Sequence, residues 1–353
     1  MTRPRTAVVV GATNGIGKAI SCHLAREGYQ VIAVGRGGEG RRDEVLSFLE
    51  KCSAESKTAA AAAAAIPTSG DDDPSPPSIP PIGHEFRPCD AFDLSQVKTC
   101  ASDIVRDRGG GGIDALVMTQ GMATVQSFTP TVDGNDMKLT LHYWSRAAFA
   151  YCLLPAMRRR SSSICGIMPG GPVIMSVLSG GVHSPYVKYR TDPELRNNYT
   201  IVNAANLAGY YTDLFLDRLA STPPNSGINF VHAAPGFVNT NWGTEMPCYI
   251  RGPIRILQRF VGKSPSECAG FMVGPILRCG SSTDIGLIMP SSGGVGESGV
   301  DANTGAGRNR GVYIMNEDGT SGKLTKGHTP EAMEDVWRTT KDVLGRSGIQ
   351  LED

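Results

Sequence analysis

Ala7-Val8-Val9-Val10-Gly11-Ala12-Thr13-Asn14-Gly15-Ile16-Gly17-Lys18-Ala19-Ile20 decides how this chain folds. The continuous apolar run Ala7 to Val10 predicts a strand buried on both faces, and Ile16, Ile20 and Leu24 then recur at helical spacing until Gly28. Between strand and helix the chain must reverse sharply and let its backbone touch an anion at the free N–H groups of the helix N-terminus. Residues without a Cβ permit that approach, and Gly11, Gly15 and Gly17 stand where they are needed, with Thr13, Asn14 and Ile16 between them. The G-x-x-x-G-x-G spacing differs from the common G-x-G-x-x-G. Alone, it fits either a dinucleotide-binding turn or a tight strand-to-helix turn without a ligand.

Further strand signals recur at Val31 to Val34, around Phe86 to Pro88, at Ile113 to Met118, Val173 to Val177 and Ile228 to Ala233, with helical patterns between most of them. Such alternation predicts an α/β fold, a doubly wound parallel sheet of the Rossmann type, as a single domain over 1–353 with insertions. Residues 53–83 hold an alanine run, Asp71-Asp72-Asp73 and a proline cluster, a composition that supplies no packed core and predicts a disordered insertion. The stretch 291–310 reads as a glycine-rich flexible loop before a short strand, Gly311 to Met315, and a last helix, Pro330 to Leu344, carrying Met333, Val336, Trp337 and Val343 at core spacing.

The chain has 353 residues, 40% hydrophobic content and zero formal net charge, so a large core is affordable and no nucleic-acid footprint appears. No apolar run of about 18 residues marks an integral membrane segment, and no signal-type stretch precedes the first strand, which predicts a cytoplasmic protein. Nine cysteines without a C-x-x-C pair predict reduced, mostly buried thiols and no metal site. Asn198-Tyr199-Thr200 matches a glycosylation sequon by coincidence in such a chain.

The second strand ends Ala33-Val34-Gly35-Arg36, where an acid would bind a ribose 2′-hydroxyl. Glycine followed by Arg36 leaves room and positive charge for a 2′-phosphate, favouring NADP with NAD as the alternative. A solvated loop arginine is the plainer reading.

With these residues in place, the sequence from Thr6 to about Thr240 resembles the short-chain dehydrogenase/reductase family. The glycine turn matches that family's cofactor signature. Asp93 in Phe92-Asp93-Leu94-Ser95 resembles its acid beside the adenine, and Thr119-Gln120-Gly121 stands where the family has Asn-Ala-Gly. Pro235-Gly236-Phe237-Val238-Asn239-Thr240 resembles its Pro-Gly loop, which brings Pro235, Gly236, Val238 and Thr240 to the nicotinamide side.

The family's catalytic set is Asn, Ser, Tyr and Lys, with tyrosine as general acid or base. The resemblance places Ser179 as the serine that orients the substrate oxygen, Tyr199 as the tyrosine, Asn203 at the lysine position and His142 at the asparagine position. Losing a cation at about 4 Å removes up to ~4 kcal/mol at an effective dielectric of ~20, so Tyr199 is expected to stay protonated and to donate better than it abstracts. A His142 imidazolium can restore part of that charge, or the ring can simply pack under the cofactor. Lys188, in the long gap between Ser179 and Tyr199, reads as a solvated loop lysine that can swing inward.

That gap and the tail after Gly311 resemble the retinol-dehydrogenase-like branch, which acts on lipophilic carbonyls or alcohols. Tyr249 to Val261 sets Arg251, Arg255 and Arg259 on one helical face and Ile254, Leu257 and Val261 on another, as an apolar lid over a small-molecule substrate. The resulting expectation is an NADP(H)-dependent oxidoreductase reducing a lipophilic carbonyl with Tyr199 as proton donor. A catalytically weak nucleotide-binding protein of the same fold is the alternative, and a nucleoside-sugar epimerase fits the glycine spacing less well. A homo-oligomer stays open.

Overall fold

A computed structural model describes residues 4–64, 83–163, 171–240, 248–278 and 312–352. Strands β1 (Thr6–Val10), β2 (Gln30–Gly35), β3 (Glu85–Pro88), β4 (Ala115–Met118), β5 (Val173–Val177), β6 (Asn229–Ala233) and β7 (Val312–Met315) form one sheet in the order β3-β2-β1-β4-β5-β6-β7. Every neighbouring pair is parallel, as the strand-helix alternation predicts. The chain direction of travel reverses between β1 and β4, and in open parallel sheets that point opens a crevice at the strands' C-terminal ends.

Helices cover both faces. α1 (Gly15–Arg26), α2 (Glu39–Ala64) and α8 (Pro265–Arg278) lie on one; α3 (Leu94–Arg108), α5 (Ser145–Ser163), α6 (Ile201–Ser221) and α9 (Pro330–Arg346) lie on the other. Successive residues of β1 divide between them: Val9 packs with Ile20, Leu24, Leu49 and Met272, and Val8 with the cluster of Leu94, Phe149, Phe215 and Trp337. Both faces being apolar, β1 reads as an unbroken hydrophobic run. α4 (Met137–Leu139) continues through a π-helical turn, Thr140–Trp144, into α5, and α7 (Cys248–Val261) leads into α8. Among the described residues no helix is long and apolar enough to cross a membrane.

Two expectations change. α2 runs to Ala64, into the segment expected to lack structure, because alanine has the highest helix propensity and carries the helix onward from its packed first half; the rest of that segment, 65–82, and the glycine-rich stretch 291–310 lie outside the described residues. Cys22 and Cys52, expected as free thiols, form a disulfide across the α1–α2 contact, with Cα atoms 5.5 Å apart. The pairing is set by two helices packed side by side, a relation that cysteine spacing along the chain does not encode.

Candidate active site

Asn14 caps α1 from an extended conformation, its side-chain oxygen accepting from Gly15 N at 2.8 Å, which leaves the next N–H groups pointing into the crevice. Gly11 and Gly15 have φ of +85° and +56°, which a side chain rarely tolerates. Gly17 is required by proximity: a Cβ there would sit 2.3 Å from Gly11 O and 2.4 Å from Thr119 Oγ1. The expected turn is therefore present, and its three glycines line a cleft of about 720 Å³ together with Thr13, Asn14 and Ile16.

Arg36 lines the same cleft from the end of β2, its guanidinium 5.5 Å from the Phe92 ring centroid. Asp93, expected beside the adenine, is the N-cap of α3, accepting from Ser95 N at 2.9 Å and Gln96 N at 3.3 Å, and is not among the residues lining the cleft. Those bonds and the Ser95 hydroxyl hold its carboxyl below its ordinary range. The acid facing the cleft is Asp90, in the loop Cys89 to Phe92.

The floor comes from the π-helical turn. Lys138, His142 and Arg146 recur at i, i+4 and i+8 and all line the cleft, as do Thr119, Gln120 and Gly121. His142 Nε2 accepts the Met122 N–H at 3.1 Å, so that nitrogen carries no proton and the ring is neutral. Burial, with the charges of Arg146 and Lys138, pushes its pKa down to about 3, because a third cation beside those two is not stabilised there. Of the two states open to this ring, an imidazolium or a neutral packed ring, the geometry fits the neutral one. Arg146 ties the two central strand ends together, its guanidinium donating to Met118 O at 3.2 Å, Ser176 Oγ at 2.8 Å and Val177 O at 2.9 Å.

Tyr199 and Asn203 do not line the cleft. Tyr199 precedes the N-cap of α6, and its hydroxyl donates to Asp136 Oδ1 at 3.3 Å; burial and the Asp136 charge push its pKa upward. Asn203 turns its amide onto Asn198 O at 2.8 Å. The α6 side chains that do face the cleft are Ile201, Ala205 and Ala208. Ile201 and Ala205 share the four-residue separation of Tyr199 and Asn203, displaced around the helix, so the expected register falls on the wrong face. Lys188, in the loop before α6, pairs with Asn198 Oδ1 at 2.5 Å, away from the cleft.

Ser179 follows β5 and lines the cleft; its Oγ is buried and has no hydrogen-bond partner. Pro235 and Thr240 reach the cleft as expected, whereas Val238 is tied in a bridge to Lys263 and Gly236, at φ +70°, lines a neighbouring cavity with Glu317. Lys138, Arg146 and Asp90 were missed by the sequence reading. The i, i+4, i+8 spacing of Lys138, His142 and Arg146 was the available signal.

The family model described as "short chain dehydrogenase" matches residues 5–68. The chain is 27% identical over 238 residues to "Oxidoreductase AN1596" of Emericella nidulans, covering 67% of this chain and 59% of that protein. It is 24% identical to the "NmrA-like family domain-containing oxidoreductase notO" of an Aspergillus species, covering 66% of this chain and 60% of that one. This chain thus spans about three fifths of the length of these curated relatives. Among solved structures, the NADPH-bound carbonyl reductase from chicken fatty liver aligns with a TM-score of 0.53 at 16% identity, over 92% of this chain and 96% of that one. The 3-oxoacyl-[acyl-carrier protein] reductase from Brucella melitensis, in complex with NAD, aligns at 0.50 and 17% identity, over 78% and 91%. The fold is shared with these reductases, and residues 5–68, the glycine turn included, match the short chain dehydrogenase model.

Proposed function

We propose that this chain is an NADP(H)-dependent oxidoreductase that reduces a carbonyl group on a small lipophilic substrate. The observation that carries the reading is continuity: the glycine turn, Arg36 and Ser179 line one cleft, at the point in the sheet where dinucleotides bind. The dinucleotide pyrophosphate fits the N-terminus of α1, which the absence of a Cβ at Gly17 lets sit close against Gly11 O and Thr119, and Arg36 fits a 2′-phosphate. When bound, the nicotinamide supplies a hydride to the carbonyl carbon. Ser179 Oγ donates a hydrogen bond to the carbonyl oxygen and fixes its orientation. Val125 and Ile201, both exposed at the cleft, offer apolar surface to the rest of the substrate, which agrees with the retinol-dehydrogenase-like resemblance. Tyr199 delivers the proton only by leaving Asp136 and turning about the start of α6.

That last requirement favours a second reading. With Ile201, Ala205 and Ala208 as the α6 face of the cleft, the chain can bind the nucleotide without tyrosine-dependent turnover. NADPH oxidation across a panel of apolar aldehydes, ketones and quinones separates the two, with Tyr199→Phe and Ser179→Ala beside the unaltered chain. Turnover lost in both variants supports the reductase. Tight NADPH binding with no turnover in any of the three leaves the binding protein.

A further inference from the structure

Ser179 is gripped from behind by three buried ionisable side chains that the reaction above does not use. Its N–H donates to His232 Nε2 at 3.2 Å, and its carbonyl oxygen accepts from His183 Nδ1 at 2.9 Å. Both imidazoles converge on one carboxylate. His232 Nδ1 donates to Asp213 Oδ1 at 2.6 Å, while His183 Nε2 lies 3.2 Å from Asp213 Oδ2 and 2.7 Å from Thr325 Oγ1. The three side chains come from separate elements, the loop after β5, α6 and β6, and Asp213 and His232 are 0% exposed.

Proton counting favours one charge state. His232 accepts at Nε2, so its proton sits on Nδ1 and the ring is neutral. His183 faces a carbonyl oxygen at Nδ1, which can only accept, so that nitrogen carries a proton as well. At His183 Nε2 a second proton meets the carboxylate and balances it. Without it, the Nε2 lone pair takes the Thr325 hydroxyl at 2.7 Å but still lies 3.2 Å from Asp213 Oδ2, and the buried carboxylate keeps one close N–H donor. The same atoms lie within 4.8 Å of one another, yet a metal would have to displace the His232 proton that Asp213 holds. A proton is the better occupant. Gly209 on α6 makes the room: a Cβ there would fall 2.6 Å from His183 Nδ1 and 2.7 Å from Ser179 Oγ.

We infer that His183, Asp213 and His232 form an ionic clamp, with His183 as the imidazolium, that positions Ser179 and lets the cleft hold a substrate oxygen only while His183 keeps its second proton. The clamp's effect on a substrate rests on the reductase reading; its charge state does not. Asp213 from α6, His232 from β6 and, further off, Arg146 from α5 are the charged or titratable groups facing the pair. Burial alone would strip the His183 proton, but the Asp213 hydrogen bond and charge, joined by the Ser179 carbonyl, outweigh it and raise its pKa. The clamp is therefore complete below the ordinary histidine value of 6.5 and opens as pH rises through the raised one.

Histidine 15N NMR of the full-length protein, titrated across neutral pH, reads the clamp directly. One ring, lost in His183→Gln, should hold protons on both nitrogens at pH 6.5, and a second, lost in His232→Gln, should be neutral there. A neutral His183 at pH 6.5 overturns it, whatever the activity assays return. With an active carbonyl substrate, His183→Gln should raise KM on the order of tenfold, the scale of a lost charge-assisted hydrogen bond, and flatten the alkaline limb of kcat/KM. NADPH affinity should stay unchanged. An unaltered alkaline limb in His183→Gln also overturns the proposal, whereas NADPH binding without any turnover overturns the reductase reading and leaves the NMR result to decide the clamp.

Discussion

Gly17→Ala probes the turn at its tightest contact. The added methyl carbon would stand 2.3 Å from Gly11 O and 2.4 Å from Thr119 Oγ1, about 1 Å inside an ordinary contact of roughly 3.4 Å. The carbonyl is backbone and cannot swing aside, and Thr119 Oγ1 is committed to Val10 O at 2.9 Å. Relief must come from moving α1, which is packed against α2 and α8 through Ile20, Leu24, Leu49 and Met272. Overpacking of this kind costs about 1–3 kcal/mol, so urea unfolding should show a lower midpoint with little change in slope. The displaced helix start also withdraws N–H groups from the pyrophosphate, and losing one or two such charge-assisted bonds weakens NADPH about 10- to 1,000-fold. Fluorescence titration of NADPH measures it. A Gly17→Ala protein with unaltered midpoint and unaltered NADPH affinity refutes the reading of this turn as a close-approach anion site.

Arg36→Ala should weaken NADPH about tenfold or more while leaving NADH within about twofold, as a lost phosphate contact requires; equal losses for both would make Arg36 a general surface residue. His142 is neutral in the fold with a pKa of about 3 and must charge on unfolding, so its share of stability is complete above pH 6.5 and shrinks as pH falls toward 3. By pH 5 that share should have dropped by about 2 kcal/mol relative to pH 7, and urea unfolding of His142→Asn at both pH values should lack the drop. Trp337→Ala, which removes a buried ring stacked on Phe215 at 5.6 Å, should cost about 3–5 kcal/mol by the same assay without changing NADPH affinity, because the residue lies away from the cleft.

Where physical constraints are local, the sequence carried them. Val8 and Val9 face opposite cores, so β1 reads as a buried parallel strand, and the positive φ of Gly11 and Gly15 belongs to the turn itself, whereas the close contacts of Gly11 and Gly17 with Thr119 reach far along the chain. Arg36 and Ser179 were placed because each directly follows a strand whose end the sheet fixes. The misplaced residues depend on rotation or on distant packing. Tyr199 sits just before α6, where a shift of two positions turns a side chain from the cleft to Asp136, a matter of helical phase that residue type does not encode. Asp93 looked like a ligand acid but is consumed by its own helix cap. The Cys22–Cys52 pair and the clamp on Ser179 join elements far apart in the chain, and neither has a spacing to read.

The cleft above β1 and β4 lies where an NADP(H) would bind. Equilibrium titration of the full-length protein with NADPH and NADH, followed by nicotinamide fluorescence, tests it most directly. The account predicts saturable binding of NADPH, weaker binding of NADH, and loss of that preference in Arg36→Ala. No saturable binding of either nucleotide would contradict it.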